Sequence, residues 1–246
     1  MSLPVHLVPT LAGVVPQGRV EVTGDEAHHA VAVRRLRVGE PVLLTDGAGT
    51  TVRGDVAETG KRSFSVTVRE VDLSRAPEPS LVVVQALPKG ERGELAVSVL
   101  TEIGAATIVP WAAARSVAVW RGERAAKSHA RWEATAREAA KQARRHWFPS
   151  VAPLATTGEA AARIARADLA VVLHEDAEAS LSTLEVPPTG EIALVIGPEG
   201  GLTSDELAAF EAAGASTVRL GAEVLRTSTA GVAACAALLA RTARWA

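Results

Sequence analysis

The sequence predicts an α/β protein in two parts, a small β-rich domain followed by a larger domain built on a parallel sheet. Three observations carry that prediction. Short alternating apolar runs separated by turn residues fill positions 1–73. From position 80 onward, continuous apolar runs of strand length alternate with helical segments, the pattern of a sheet covered on both faces. Between the two, residues 74–79 are polar and carry Pro77 and Pro79, as an inter-domain linker would.

In the first part, strands are expected over 19–22, 41–44, 51–56 and 63–71, with turns at Asp46-Gly47-Ala48-Gly49 and Thr59-Gly60-Lys61. A helix is expected from residue 24 through Arg37, with Asp25 as N-cap and Gly39 just beyond its end. One helix among short strands suggests a small barrel. In the second part, strands are expected over 81–86, 107–110, 169–173, 192–196 and 217–220. Helices are expected over 94–103, 125–145, 158–166, 204–213 and 230–244. The 204–213 helix has a capping-box start, Thr203 with Glu206 three residues on, and Gly214 as its stop.

Composition narrows the class. Of 246 residues, 48% are hydrophobic and 22% charged, so a sizeable core can form and disorder is expected only at the ends. No apolar run approaches the ~18 residues of a spanning helix, and Met1 to His6 lack the basic-then-apolar pattern of a secretory signal. The cytoplasm is the default compartment. The single cysteine, Cys235, excludes an intramolecular disulfide and a multi-cysteine metal site, and its Ala/Leu-rich surroundings predict a buried, inert thiol.

Charge is uneven. Residues 115–146 hold nine Lys/Arg against three Glu, whereas 147–246 hold six basic and twelve acidic side chains. A local basic band fits a polyanion contact on one face, or equally a solvated helix face laced with ion pairs.

The chemistry concentrates in two glycine-bearing loops. Leu194-Val195-Ile196 runs into Gly197-Pro198-Glu199-Gly200-Gly201, and Leu220-Gly221-Ala222-Glu223-Val224-Leu225 runs into Arg226-Thr227. Glycine lets main-chain groups approach a ligand closely, so the pair suggests a site built from backbone for a flat or extended small molecule. Neither a G-x-G-x-x-G opening a helix nor a phosphate-cradling P-loop is present. Gly47-Ala48-Gly49 lies in an expected hairpin and carries no such weight. His28 and His29 are adjacent on a helix and point ~100° apart, poor geometry for one metal, and no metal site is expected.

These residues resemble a known family. Leu-Val-Ile-Gly-Pro-Glu-Gly-Gly followed by Leu-Gly-x-x-Val-Leu-Arg-Thr-x-Thr-Ala is similar to the paired cofactor loops of the SPOUT class of S-adenosylmethionine-dependent RNA methyltransferases. Further matches point to the RsmE family of 16S ribosomal RNA uracil-N3 methyltransferases. They include His28-His29, Val33 to Arg37, Leu87-Pro88-Lys89-Gly90, Thr101 to Gly104, Pro110, Arg115-Ser116, Trp132, Glu138-Ala139, Gln142, Arg145 and Pro149.

The resemblance implies a PUA-like RNA-binding barrel (1–73), a linker (74–79) and a SPOUT α/β domain (80–246) tied in a C-terminal trefoil knot. It implies a homodimer joined through the last helix and the knot region, where Ala230, Gly231, Ala233, Ala234 and Ala237 offer a small-residue face. The implied cofactor, S-adenosyl-L-methionine, would lie among Leu173, His174, Ile196, Gly197, Pro198, Glu199, Gly200, Gly201, Leu220, Gly221, Val224, Leu225 and Thr227. The implied substrate is a specific uridine of 16S ribosomal RNA in the small subunit.

Methylating uracil N3 needs removal of a weakly acidic proton, alignment with the methyl sulfonium, and a positive group for the developing anion. Arg226 is the first candidate for that last role; a structural ion pair with Glu199 or Glu223 is the alternative. RNA contacts are assigned to His28, Arg34, Arg35, Lys89, Arg115, Gln142 and Arg145, the solvated-face alternative remaining open. Trp120, Trp132 and Trp147 read as core residues before base-stacking platforms. Two departures stand out. Ser228 occupies the place where the family usually has glutamate, and His6 stands where it usually has arginine and reads as mobile and without function. Another SPOUT activity, such as ribose 2′-O methylation, and a non-catalytic ribosome-binding or assembly role are the competing readings.

Overall fold

The computed structural model describes residues 3–245. It divides into two compact units, the chain up to Ala76 together with Lys141–Phe148, and Pro77–Ala140 together with the chain from Pro149 onward. The segment 141–148, expected within the second domain, thus clusters with the first.

The first unit is a five-stranded sheet in the order β1-β3-β4-β5-β2, formed by β1 (Val5–Leu7), β2 (Arg19–Thr23), β3 (Pro41–Thr45), β4 (Thr50–Thr59) and β5 (Ser63–Leu73). β1 runs parallel to β3 and the other pairs are antiparallel. Alternation decides which side chains go inward: Val42 and Leu44 of β3, Val52 and Val56 of β4, and Phe64, Val66 and Val68 of β5 form one buried cluster. Gly54 sits where the β4–β5 register shifts, and a Cβ there would lie 2.4 Å from the Thr67 carbonyl oxygen, so only glycine fits the bulge.

The helix expected to reach Arg37 is shorter. Helix α1 (Gly24–His28) passes into a single π turn, His29–Val33, and stops. Its N-cap is Thr23 without a side-chain bond; Asp25 instead pairs with Arg62 at 2.8 Å. The ending is physical: Leu36 N–H reaches back to the Ala30 carbonyl, and Arg35 adopts φ +56°, a left-handed conformation that closes the helix and returns Leu36 to the core. His6, expected to be mobile, is buried in β1. Its ring meets Phe64 edge-on and its Nδ1 lies 3.1 Å from Glu26. Glu26 also receives both 3.0 Å bonds of Lys141.

The second unit carries a parallel sheet in the order β11-β9-β10-β6-β7-β8. In chain order its elements are β6 (Ser80–Ala86), α2 (Arg92–Ile103), β7 (Thr107–Trp111), α3 (Glu123–Gln142, its last two residues in the first unit) and β8 (Ser150–Val151). Then follow α4 (Thr157–Ile164), β9 (Leu169–Leu173), β10 (Glu191–Ile196), α5 (Ser204–Ala212), β11 (Ser216–Val218) and α6 (Thr227–Leu239). Leu81 and Val83 of β6 join Leu100 of α2, Trp132 of α3 and Leu238 of α6 on one face. Val82 and Val84 join Ile164 of α4 and Phe210 of α5 on the other. Continuous apolar strands are therefore buried on both faces, as their composition predicts.

Boundaries shift where propensity alone set them. β1 and β8 are too short for a periodicity signal. Helix α6 begins at Thr227 and ends at Leu239 rather than spanning 230–244, and β11 stops at Val218. Helix α3 ends at Gln142 because Arg144 turns left-handed, φ +52°. Both Thr203 with Glu206 and Thr156 with Glu159 form reciprocal capping boxes. Cys235 is fully buried and burial pushes its thiol up to about 12, so it remains protonated and unreactive.

Burial alone would raise the Glu26 carboxyl, but the bonds from His6 and Lys141 outweigh it and hold the group below its ordinary range. Such a carboxylate contributes stability that is present above its unfolded value, roughly 4.3, and is lost as pH falls through the lower folded value. Urea titrations should show the first unit weakening in that acid window. Lys141→Met should cost roughly 2 kcal/mol at neutral pH by leaving a partly buried carboxylate short of donors. An unchanged midpoint in the variant would contradict this account.

Candidate active site at the carboxyl ends of the second sheet

Strands β6, β9 and β10 are almost wholly apolar and buried, so polar chemistry can gather only at their ends. In an open parallel sheet that place is the carboxyl edge. A cavity of about 600 Å³ lies there, walled by the segments that leave β9, β10 and β11 and by the start of α6. Every residue assigned to the cofactor lines it. Leu173 and His174 follow β9, and Ile196, Gly197, Pro198, Glu199, Gly200 and Gly201 close β10. Leu220, Gly221, Val224, Leu225 and Thr227 follow β11, and Arg226 stands among them. Ala222 and Glu223, within the second loop as read from the sequence, line the cavity as well, while sequence reasoning missed Glu175, Asp176, Leu202, Arg219 and Ala230. Their signal was proximity to strand ends already identified.

The first loop is held by a neighbour distant in sequence. Gly201 takes φ +71° and its N–H bonds the Pro198 carbonyl at 3.0 Å, closing a turn. Gly200 is glycine for a different reason: a Cβ there would lie 2.9 Å from the Arg115 Cβ. Arg115, assigned to RNA, lines the cavity too, and its Nη1 donates to the carbonyls of Gly200 (3.2 Å) and Leu202 (3.3 Å), so it braces the loop. Beside it, the buried Glu206 accepts from Ala114 N–H at 2.7 Å and from Thr203 N–H at 2.9 Å. Glu199 accepts from the Lys89 main-chain N–H at 3.2 Å and faces Arg92 at 3.4 Å. Lys89 thus contributes its backbone here while its side chain is exposed.

The second loop is more open. His174 N–H bonds the Val218 carbonyl at 2.9 Å and its Nδ1 accepts from Asp176 N–H, which fixes the turn after β9. Residues 221–226 are exposed, Val224 by 73%. Arg226 is the N-cap position of α6; its carbonyl accepts from Thr229 and Ala230 N–H. The ion pair of Arg226 with Glu199 or Glu223 does not form, which leaves its guanidinium available at the cavity rim. Ser228 is buried, 3% exposed, within the first turn of α6 and does not line the cavity.

The remaining RNA assignments fall in the first unit. His28, Arg34, Arg35 and Gln142 are exposed there. Arg145 does not continue the helical face of Glu138 and Gln142, because α3 has ended. Trp132 is buried and Trp120 packs on it edge-on, while Trp147 donates to the Ser74 carbonyl. All three are structural contacts first. The basic band is partly consumed, Arg131 by Glu94 at 2.8 Å and Lys141 by Glu26. Among the described residues no group of three or more His, Cys, Asp or Glu is placed to hold a metal ion.

Comparison with known proteins agrees with this layout. The RNA methyltransferase domain family matches residues 75–239, and the RNA methyltransferase PUA domain family matches residues 22–69. Ribosomal RNA small subunit methyltransferase E of Mycobacterium bovis is 43% identical over 228 residues, 91% of this chain and 87% of the relative. The protein of the same name from Bacillus subtilis is 30% identical over 88% of each chain. Among solved structures, the Neisseria gonorrhoeae ribosomal RNA small subunit methyltransferase E bound to S-adenosyl methionine superposes with a TM-score of 0.88. It is 26% identical over 98% of each chain. With both domain types in order and a 43% identical relative along nearly its whole length, the chain belongs to the ribosomal RNA small subunit methyltransferase E family.

Proposed function

We propose that this chain transfers a methyl group from S-adenosyl-L-methionine to N3 of one uridine in 16S ribosomal RNA of the small subunit. The observation that carries the reading is the single cavity at the carboxyl edge that gathers all thirteen residues assigned to the cofactor together with Arg226. Its ~600 Å³ suits a ligand of nucleoside size. Its walls are mostly main chain from glycine loops, able to meet an adenine edge, with the carboxylates of Glu175, Asp176 and Glu223 at hand for hydroxyl and ammonium donors.

When bound, S-adenosylmethionine supplies an electrophilic methyl on sulfur. The chain's own task is then to hold uracil N3 in line with it and to favour the deprotonated ring. Arg226 serves the second task as the cation at the rim that stabilises negative charge developing on uracil. Ser228 lies buried in the first turn of α6, outside the cavity lining, and supplies no carboxylate where the family usually has glutamate. Arg115, Glu206 and Lys89 keep the first loop in shape.

The same reading places the PUA-like RNA-binding barrel at 1–73, the linker at 74–79 and the SPOUT domain at 80–246, acting in the cytoplasm. His28, Arg34, Arg35, Gln142 and Arg145 are its proposed RNA contacts. The C-terminal trefoil knot belongs to it as well. Support comes from the chain path, which leaves β10, reaches β11 outside β9, and returns through residues 219–226 so that α6 packs on β6, β10 and α2. A homodimer through α6 and the knot would cover the exposed Val224 and Leu225.

Calorimetry should detect S-adenosylhomocysteine binding, and nucleoside mass spectrometry of treated small subunits should show N3-methyluridine. A ribose-methylated product or absent binding would overturn the assignment. Arg226→Ala should lower kcat roughly 100-fold while leaving S-adenosylhomocysteine affinity within about twofold. A loss confined to KM would remove Arg226 from the transition state. Gly200→Ala should push against Arg115 and weaken cofactor binding roughly tenfold, about 1.4 kcal/mol, with methyl transfer falling in step.

A further inference from the structure

The first unit holds a cavity of about 270 Å³ that the proposed transfer chemistry does not use. Its floor follows from strand register. Val5, Leu43, Arg53 and Glu70 stand side by side across β1, β3, β4 and β5, and Thr45, Thr51 and Asp72 form the next row. Period two puts both rows on the sheet face opposite Leu44 and Val52, which fill the core.

The facing wall is the stretch 144–146, whose three residues all line the cavity. It is tied down at both ends. On one side Lys141 holds Glu26. On the other, the His146 carbonyl accepts from Gly49 N–H at 3.0 Å, Trp147 Nε1 donates to the Ser74 carbonyl at 3.0 Å, and Phe148 N–H bonds the Gly47 carbonyl at 2.9 Å. Between these anchors Arg144 is held at φ +52°, a conformation that side chains adopt at a cost. The wall is therefore preorganised rather than a loose tail.

The chemistry of the lining is mixed in an informative way. Val5 and Leu43 give an apolar patch, Arg53 and Arg144 are exposed guanidiniums, and Arg145 lies with them. Glu70, Asp72 and Thr51 supply acceptors, with Asp72 3.7 Å from His146 Nδ1. A bare anion would be repelled by the two carboxylates and leave the apolar patch bare. An aliphatic ligand would leave the arginines unused. A nucleotide matches all three: its base face covers Val5 and Leu43, its N–H edge meets a carboxylate, and its phosphate meets Arg53 and Arg144. A cavity this small admits an unstacked base and excludes a duplex, the usual way that proteins read single-stranded RNA.

We infer that this cavity binds one unpaired nucleotide of the RNA strand that the enzyme engages, with Arg53 and Arg144 on its phosphate. The inference rests on the reading of the chain as an RNA-modifying enzyme but concerns its own site in the first unit.

Fluorescence anisotropy of the full chain with labelled decauridylate tests it. The same strand paired to decaadenylate serves as one competitor and uridine monophosphate as another. The single strand should bind, the duplex should compete at least tenfold less well, and Arg53→Ala with Arg144→Ala should weaken binding roughly tenfold. The exposed pair Lys61→Ala with Arg166→Ala, outside both cavities and the basic band, should change it less than about twofold. An unchanged affinity in the first double variant, an equal loss in the second, or an absence of strand binding would overturn the site. Uridine monophosphate competing as well as the strand would overturn it in favour of a free-nucleotide site. S-adenosylhomocysteine calorimetry separates the two readings: if cofactor binding fails while the strand still binds through Arg53 and Arg144, the methyltransferase reading falls and the nucleotide site stands.

Discussion

Complete burial of the central strands is the constraint on which the second unit depends. Ile192, Ala193, Leu194 and Val195 of β10 have no exposed surface, and Leu81 to Val84 of β6 have almost none. A strand covered on both faces cannot carry charged groups along its length, because an unpaired buried charge is too costly. Its one polar interior side chain, Gln85, donates to the Ala86 carbonyl at 3.1 Å and lies 3.4 Å from the Thr227 carbonyl at the start of α6. Polar recognition is thereby displaced to the carboxyl edge, and β10 between β9 and β6 aligns the exits of β9, β10 and β11 around one cavity.

A cavity walled by main chain has a particular weakness: loops hold their shape only if something outside holds them. Here the support is electrostatic and comes from segments distant in sequence. Arg115 grips the carbonyls of Gly200 and Leu202. Glu206 accepts from Thr203 N–H at the loop's end and from Ala114 N–H beside Arg115, so the loop and its brace are held together. Hydrogen bonds to charged groups contribute roughly 1.5–3 kcal/mol each, enough to hold a short glycine loop against its own entropy. Among the described residues the second loop has no equivalent brace, and its Val224 and Leu225 are exposed. One wall of the cavity is thus braced by side chains from elsewhere in the unit, and the other is exposed.

Much of this was legible in the residues. The strand and helix sequence of the second unit, the capping box at Thr203, the inert Cys235 and the cofactor loops all depend on local pattern or on resemblance, and both are read along the chain. What escaped depends on contacts between segments far apart. Arg115 carries no sign in sequence that its guanidinium faces carbonyls 85 positions away. His6 looked idle because its partners, Glu26 and Phe64, belong to other elements. The helix expected through Arg37 on the signals of Asp25 and Gly39 ends early because Leu36 reaches the core through a left-handed residue instead of another helical turn.

Glycine shows most clearly how local and distant causes differ. Gly201 is needed for its own backbone angle, which a turn motif announces. Gly200 is needed because a side chain from a remote segment occupies the space where its Cβ would be. Gly47 and Gly49 combine both causes. Their positive φ angles fit the hairpin they were read as, yet a Cβ at Gly49 would lie 2.6 Å from the Trp147 ring, and one at Gly47 2.9 Å from Phe148. The hairpin is glycine-rich in part because the segment from Lys141 to Phe148 packs on it. A motif set aside as an ordinary turn thus marks the seat of the wall that shapes the nucleotide-sized cavity, as Gly200 marks the brace of the larger one. In both units, glycines that a turn does not fully explain locate the place where a distant segment comes to lie against the backbone.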